Sequence, residues 1–573
     1  MRHTAVLPAI SLLLLAACGG DAPPVAAGDD PALDWEQFVT GVIAEYYERN
    51  PEQAVDAGLH AYDGRMADRS LSALEAYAAW IDEVIAAALA YDALSGIEAF
   101  ERDYLLNAMT GELFWLRESG YPTSNPLFYA PSVSVYVDRE YAPLEERIEA
   151  YTRYTEQLPG ALATMRENLE PPLPAPYLEI GQAVFAGFAD YLENTVPGLF
   201  AAVEDAERQR RFRAANDRAA AAVKDAAAWL DGLQATATGD YALGEAGFLD
   251  MLRMTQGVDI SLAELEAAGE ADLARNLEAL DAACAEFAPG SSARDCVRLV
   301  QERKPPEGPV AGAARQLPAL RQFVVDNGLV TIPSDEKALV AESPPHRRFN
   351  IAYISIPGPF EKDLPSVYYI APPDPAWSEE DQRAYIPGET DLLAISVHEV
   401  WPGHFLQYLH ANRADNNVGQ HFGTYTFTEG WAHYTEEMMW EAGLGDGDPE
   451  VRIGQLINAL LRNVRYLSAI GLHTGSMTVA ESQALFEEKA FKDFGNASQQ
   501  ALRGTYDPGY LNYTLGKLMI IKLREDWTAD RGGREAWGRF HDTFLSFGSP
   551  PIPLVREQML GPDYAGDTAL LPD

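Results

Sequence analysis

The sequence predicts a mainly α-helical protein with a minor β-sheet, and three observations carry that reading. From Asp34 onward, alanine-rich segments repeat their apolar residues at helical spacing. A β-rich pattern is confined to one stretch, from about Arg348 to Pro372. No segment within 34–573 is long or polar enough to act as a linker, so those residues read as a single domain.

The chain opens on a segment outside that domain. Arg2 and His3 precede an apolar run, Ala5 to Leu15, which is too short to span a bilayer and has the layout of a secretory signal. Its end, Leu15-Ala16-Ala17-Cys18, resembles a bacterial lipobox. The resemblance implies a signal peptide over 1–17, cut before Cys18, whose sulfur then carries a diacylglycerol. An ordinary secretory signal is the alternative. Gly19-Gly20 after the cysteine implies the outer membrane, facing the periplasm, and residues 18–33 then form a lipidated, flexible tether rich in Gly, Ala, Pro and Asp. Export permits a disulfide between Cys284 and Cys296 across a modest loop, with two buried thiols as the alternative. The 86 acidic against 43 basic residues repel phosphate backbones and anionic headgroups. Nucleic acid is therefore excluded as a partner, membrane contact falls to the N-terminal lipid, and the charge itself serves solubility.

Helical periodicity predicts helices over Leu71–Leu94, Tyr141–Leu169, Asp205–Ala235 and Leu262–Phe287. Phe349–Ile356 and Ser366–Ile370 are short, β-rich and bounded by Pro and Gly, so they read as two strands. Their position admits peptide binding by strand addition, or a sheet with no ligand role. Pro387-Gly388 stops the preceding segment, and a helix starts near Thr390, its N-cap, to carry His398 and Glu399. Further helices are expected from Thr428 to Trp440 and over Arg452–Gly471, Pro508–Trp527 and Glu535–Phe547.

The chemistry concentrates in His398-Glu399-Val-Trp-Pro-Gly-His404, an H-E-x-x-H zinc motif with two extra residues. Six positions on a regular helix are about 600° of rotation, which would point the rings to different sides. Pro402 and Gly403 are the residues able to distort the helix and return His404 to His398, so a bulge or kink is expected between Trp401 and His404. Five of the ten histidines fall between 398 and 433, and His410, His421 and His433 are read as local packing or capping. A catalytic zinc needs three protein ligands and one open corner. Glu429, in Thr428-Glu-Gly-Trp-Ala-His-Tyr-Thr-Glu436, is the candidate third ligand, with Gly430 allowing close backbone approach. On its helix Glu429, His433 and Glu436 share a face. One Zn2+ suits two histidines and a carboxylate, although manganese, cobalt or iron suit them too.

These two blocks and a third, Pro508-Gly-Tyr-Leu-Asn-Tyr513-Thr-Leu-Gly-Lys517, resemble in order and spacing the family known as domain of unknown function 885. The resemblance covers about residues 34–560. It implies a bacterial, often lipid-anchored protein with a large zincin-like helical peptidase domain around a deep cleft, its minor sheet beside the active-site helix. It carries His398, His404 and Glu429 over as zinc ligands and Glu399 as general base. Related zinc peptidases place a tyrosine from a late helix at the oxyanion, which implies that role for Tyr513; a core ring is the alternative. Arg503 and Lys517 are candidates to hold a substrate carboxylate, with a surface cation as the alternative for Lys517.

The expected function is a zinc metallopeptidase of the bacterial envelope whose activated water, with Glu399 as base, hydrolyses peptide bonds in oligopeptides. The same groups serve an amide or ester hydrolase acting on a non-peptide envelope substrate. A non-catalytic binding lipoprotein is the third reading, and an intact Glu399 argues against it.

Overall fold

The computed structural model describes residues 34–572 except 345, 346, 349, 350, 362, 363, 374, 376 and 415. The signal peptide, Cys18 and the tether lie outside the described residues.

Helices dominate from the first described turn. Asp34 caps Trp35–Arg49 and Ser70 caps Leu71–Leu89, each side chain accepting from a first-turn N–H. With Ile97–Leu113 these helices close a core around Trp35, Ile81 and Tyr104. A second core, around Tyr151, Phe185 and Phe212, is enclosed by Leu144–Thr155, Leu158–Asn168, Ala175–Asn194 and Ala206–Leu233. Here the expected Tyr141–Leu169 helix is two helices. Pro159 lacks an N–H and crowds the carbonyl one turn back, so it sits in the first turn of a new helix. Leu71–Leu94 likewise stops early, at Leu89.

The site is carried by later elements. Helix α1 (Leu262–Phe287) has the bounds its periodicity predicts, opened by a Ser261–Glu264 capping box. Helix α2 (Pro309–Asp326) follows, then strands β1 (Leu339–Glu342), β2 (Ala352–Ser355) and β3 (Val367–Ile370). β3 is central, parallel to β1 with Leu339 opposite Val367, and antiparallel to β2 with Ala352 opposite Ile370. β1 escapes the sequence because four half-exposed residues cannot display an alternation. Tyr368 and Ile370 point inward, and the sheet packs on α2 and α3 (Glu389–Glu399).

Gly388, not Thr390, is the N-cap of α3. Next come α4 (His404–Ala411), α5 (Tyr425–Glu441) and α6 (Pro449–Thr474). α5 starts earlier than Thr428 because Thr424 caps it, accepting from Phe427 N–H. α7 (Phe494–Tyr506) leads through a 3₁₀ turn, Pro508–Leu511, into α8 (Asn512–Thr528). α6 packs on α1 and α3, while α5 packs on α8. The largest core fills the space between them with Val397, Trp401, Phe405, Trp431 and Leu515 among its members. Cys284 and Cys296 form a disulfide, buried against Ile453 and Leu456 of α6.

Candidate metal centre

The helix is broken, rather than bulged, between the two histidines. α3 ends at Glu399; Val400 leaves the helical region at φ −125°, ψ −69°, and α4 begins afresh at His404. The intervening residues fold back on the last turn of α3, where Gly403 N–H donates to Val397 O at 3.0 Å. A Cβ on Gly403 would lie 1.7 Å from the His398 carbonyl oxygen, so only glycine allows this approach. The Trp401–Pro402 peptide is cis, and the Trp431 indole N–H of α5 donates to the Pro402 carbonyl at 2.9 Å. With the chain so folded, the His398 and His404 rings stand 4.8 Å apart, nearly perpendicular. The expected distortion is present and begins one residue earlier, at Val400.

The third side chain arrives by backbone contact. A Cβ on Gly430 would lie 2.5 Å from Gly516 Cα, and one on Gly516 would lie 2.0 Å from the Thr426 carbonyl. α5 and α8 thus touch main chain to main chain, which sets Glu429 and Tyr513 across from each other. Glu429 Oε2 lies 3.3 Å from Nε2 of both His398 and His404. Among the described residues this trio is the one such group with donor atoms all within 4.8 Å of one another. Glu429 Oε2 is buried and makes no hydrogen bond among the described residues. A buried, unsatisfied carboxylate oxygen facing two imidazole nitrogens costs free energy unless a cation meets it. The trio fits a borderline divalent ion such as zinc. The Glu429 side chain keeps 21% exposure and that of His404 14%, against 6% for His398, so the approach lies on their side.

The surrounding charges favour that occupancy. Burial alone would raise the Glu429 carboxyl, but the His404 and His398 imidazoles 3.3 Å away hold it well below its ordinary range. Burial and the Arg462 guanidinium press His398 towards neutrality; the nearby Glu429 carboxylate and the bond to Glu436 reverse this and lift it to about 9. Glu399 is buried beside the trio, and burial raises its carboxyl against the pull of His398 and His404.

Behind the trio lies a layer the sequence motif does not name. His398 Nδ1 is 2.7 Å from Glu436 Oε1; with its proton on Nδ1 it donates there and turns the Nε2 lone pair to the site. Arg462 of α6 pairs with Glu436 at 3.1 Å and closes the arrangement. The signal was present as the seven-residue spacing from Glu429 to Glu436 on one helical face.

Tyr513 stacks on His398 with centroids 6.2 Å apart, and it is buried. Arg503 is near it but engaged, its guanidinium on Asp507 at 2.8 Å and on the Tyr425 hydroxyl at 3.1 Å. Lys517 is placed elsewhere, and this corrects both readings of it. It is fully buried, with Nζ 2.6 Å from Asp272 and 3.4 Å from Glu437, so its charge is spent on a core ion cluster. It is neither a surface cation nor a group turned to substrate. The other histidines pack locally: His410 meets the Thr331 carbonyl, His421 meets the Tyr47 hydroxyl, and buried His433 lies 3.5 Å from Glu436.

Comparison with known proteins agrees with this architecture. A candidate lipoprotein of unknown function from Shewanella oneidensis superposes with a TM-score of 0.78 at 22% identity, covering 92% of this chain and 100% of that one. A candidate lipoprotein from Colwellia psychrerythraea gives 0.76 at 18% identity, covering 92% and 99%. At such identities the likeness speaks for the fold. No curated protein matches the chain. The profile of the bacterial proteins of unknown function called DUF885 matches residues 51–559, and the chain belongs to that family.

Proposed function

We propose that this protein is a zinc-dependent peptidase with a zincin-like site, tethered to the bacterial envelope through Cys18, that hydrolyses peptide bonds in oligopeptides. The observation that carries the reading is the orphaned Glu429 Oε2 set between two histidine Nε2 atoms, with Glu399 next to His398 in the chain. When bound, zinc supplies Lewis acidity and a water acidified from about 15.7 towards about 7. His398 and His404 Nε2 and Glu429 Oε2 would hold the ion. The Glu399 carboxylate accepts a proton from the attacking water and returns it to the leaving amine, and burial that raises its basicity suits that exchange. The Tyr513 hydroxyl, on a ring stacked against His398, donates to the carbonyl oxygen as it gains charge. The tether reading is supported by Leu15-Ala16-Ala17-Cys18 and by the description of both solved relatives as candidate lipoproteins. Among the described residues no helix is long and apolar enough to cross a membrane.

The test joins metal analysis to digestion of a peptide library by wild type, Glu399→Gln and His404→Ala. Stoichiometric zinc in wild type and Glu399→Gln, with cleavage in wild type alone, is the expected result. Cleavage undiminished in Glu399→Gln overturns the role of the base. Zinc bound equally well by His404→Ala overturns the ligand set.

A further inference from the structure

A chain with net charge −43 gathers three buried or half-buried cations around Tyr513 (Arg462, Arg465 and Arg503), with half-buried Lys492 next to Arg462 and Arg465. Two of them are answered by acids of the protein, Arg462 by Glu436 and Arg503 by Asp507. Arg465 is not. It is 9% exposed, its Nε donates to the Gln500 side-chain oxygen at 2.8 Å, and it forms no ion pair among the described residues. Lys492 has no ion pair among them either. Leaving a charge buried and unpaired is costly, and the cost is compounded here by like-charged neighbours. Burial and the charge of Arg503 press the Arg465 guanidinium down, and burial with Arg465 and Arg462 does the same to Lys492 against the pull of Asp391.

The position of Arg465 gives that excess charge a purpose. Its guanidinium carbon lies 5.2 Å over the Tyr513 ring, and the same ring stacks on His398 at 6.2 Å. Tyr425, which holds Arg503 through its hydroxyl, abuts Tyr513 at 5.7 Å. One aromatic ring thus separates the unpaired cation from a metal ligand. An extended residue advances about 3.3–3.6 Å, so an anion at Arg465 lies one to three residues along a peptide whose carbonyl sits at the trio.

We infer that Arg465, with Arg503 beside it, forms a subsite for the free C-terminal carboxylate of a peptide, which makes this protein an enzyme that trims peptides from their C-terminal end. The planar guanidinium suits the two carboxylate oxygens. The inference rests on the peptidase reading for its substrate, and the test separates the two.

The probes are N-acetyl-trialanine as free acid and as C-terminal amide. Binding of each to full-length Glu399→Gln protein is measured by titration calorimetry. The acid is expected to bind about 10- to 100-fold tighter than the amide, the worth of a charged hydrogen bond. Adding Arg465→Gln collapses that ratio, and Arg465→Lys restores part of it. Equal binding of acid and amide by Glu399→Gln overturns the subsite, as does a ratio that survives Arg465→Gln. Wild type is assayed on the same pair and on longer peptides. Acid preference in binding with no cleavage leaves the subsite standing and removes the peptidase reading. Cleavage of amidated and free peptides alike, at internal bonds, removes the subsite and leaves the peptidase reading.

Discussion

Glu436 touches no candidate ligand oxygen, yet it decides how His398 presents its nitrogen. Its carboxylate accepts from the His398 Nδ1–H at 2.7 Å and is itself held by Arg462. Burial would raise this carboxyl, and the neighbouring Arg462 and His433 instead hold it far below its ordinary range, so it is an anion in the folded protein. Partners of this kind typically contribute about 10- to 100-fold in metal affinity. Glu436→Gln, of the same shape without the charge, is expected to weaken zinc by that factor in competition with a chromophoric chelator. An affinity within twofold of wild type refutes the assignment. At this scale the sequence was legible where a motif names residues and silent where a partner acts through another side chain. His398, Glu399, His404 and Glu429 share two short blocks. Arg462 and Arg465 sit in a helix whose polar residues look like any solvent-facing stripe, and only the packing of α6 turns them inward.

Two glycines control how whole elements meet. Gly403 lets the break between α3 and α4 lie on the His398 carbonyl, and Gly516 lets α8 lie on α5 at the Thr426 carbonyl. The conflicting atoms are backbone in both cases, which no rotamer change relieves. Gly403→Ala and Gly516→Ala are each expected to cost at least about 1–3 kcal/mol, the usual range for overpacking. Thermal unfolding reads the loss, and metal content should fall further in Gly403→Ala because the strain falls between two ligands. Unchanged melting in either variant counts against the close contact. Helix breaks were legible only in part. Pro402-Gly403 announces one, but Pro159 does not, because the apolar spacing continues through it and proline is tolerated in a first turn. The helix starts differ from those expected where a cap, Thr424 or Gly388, lies ahead of the obvious polar residue.

Over the whole molecule, α1, α5, α6 and α8 are fastened by one buried ion cluster. Asp272 accepts from Lys517 and Asn463, and Glu437 from Arg275. Burial alone would raise Glu437, but Lys517 and Arg275 bring it down to about 2 from an ordinary 4.5. A lowered folded value contributes stability that is full above the unfolded value and drains as pH falls through the folded one. Stability is therefore expected to hold above about pH 4.5 and to fall between there and about pH 2. Lys517→Met leaves two buried carboxylates short of a partner, at about 3–5 kcal/mol near neutral pH, and because their folded values then rise, less stability is lost between about pH 4.5 and pH 2 than in wild type. Circular dichroism across pH 2–6 checks this; an acid loss equal to that of wild type argues against the cluster. The mainly helical class and the minor sheet were legible from periodicity because burial enforces it along every helix. The cluster was not, since Asp272 and Lys517 are 245 residues apart and each reads alone as a surface charge.

The bond from the Trp431 indole to the Pro402 carbonyl has a practical meaning. It spans the joint where the two histidine-bearing helices part, and it starts two residues from Glu429. In the proposed metal centre it lies between the segment that carries His404 and the helix that carries Glu429. On the proposed zinc reading, the indole proton of this fully buried tryptophan is a resident spectroscopic gauge of loading, one that needs no attached label.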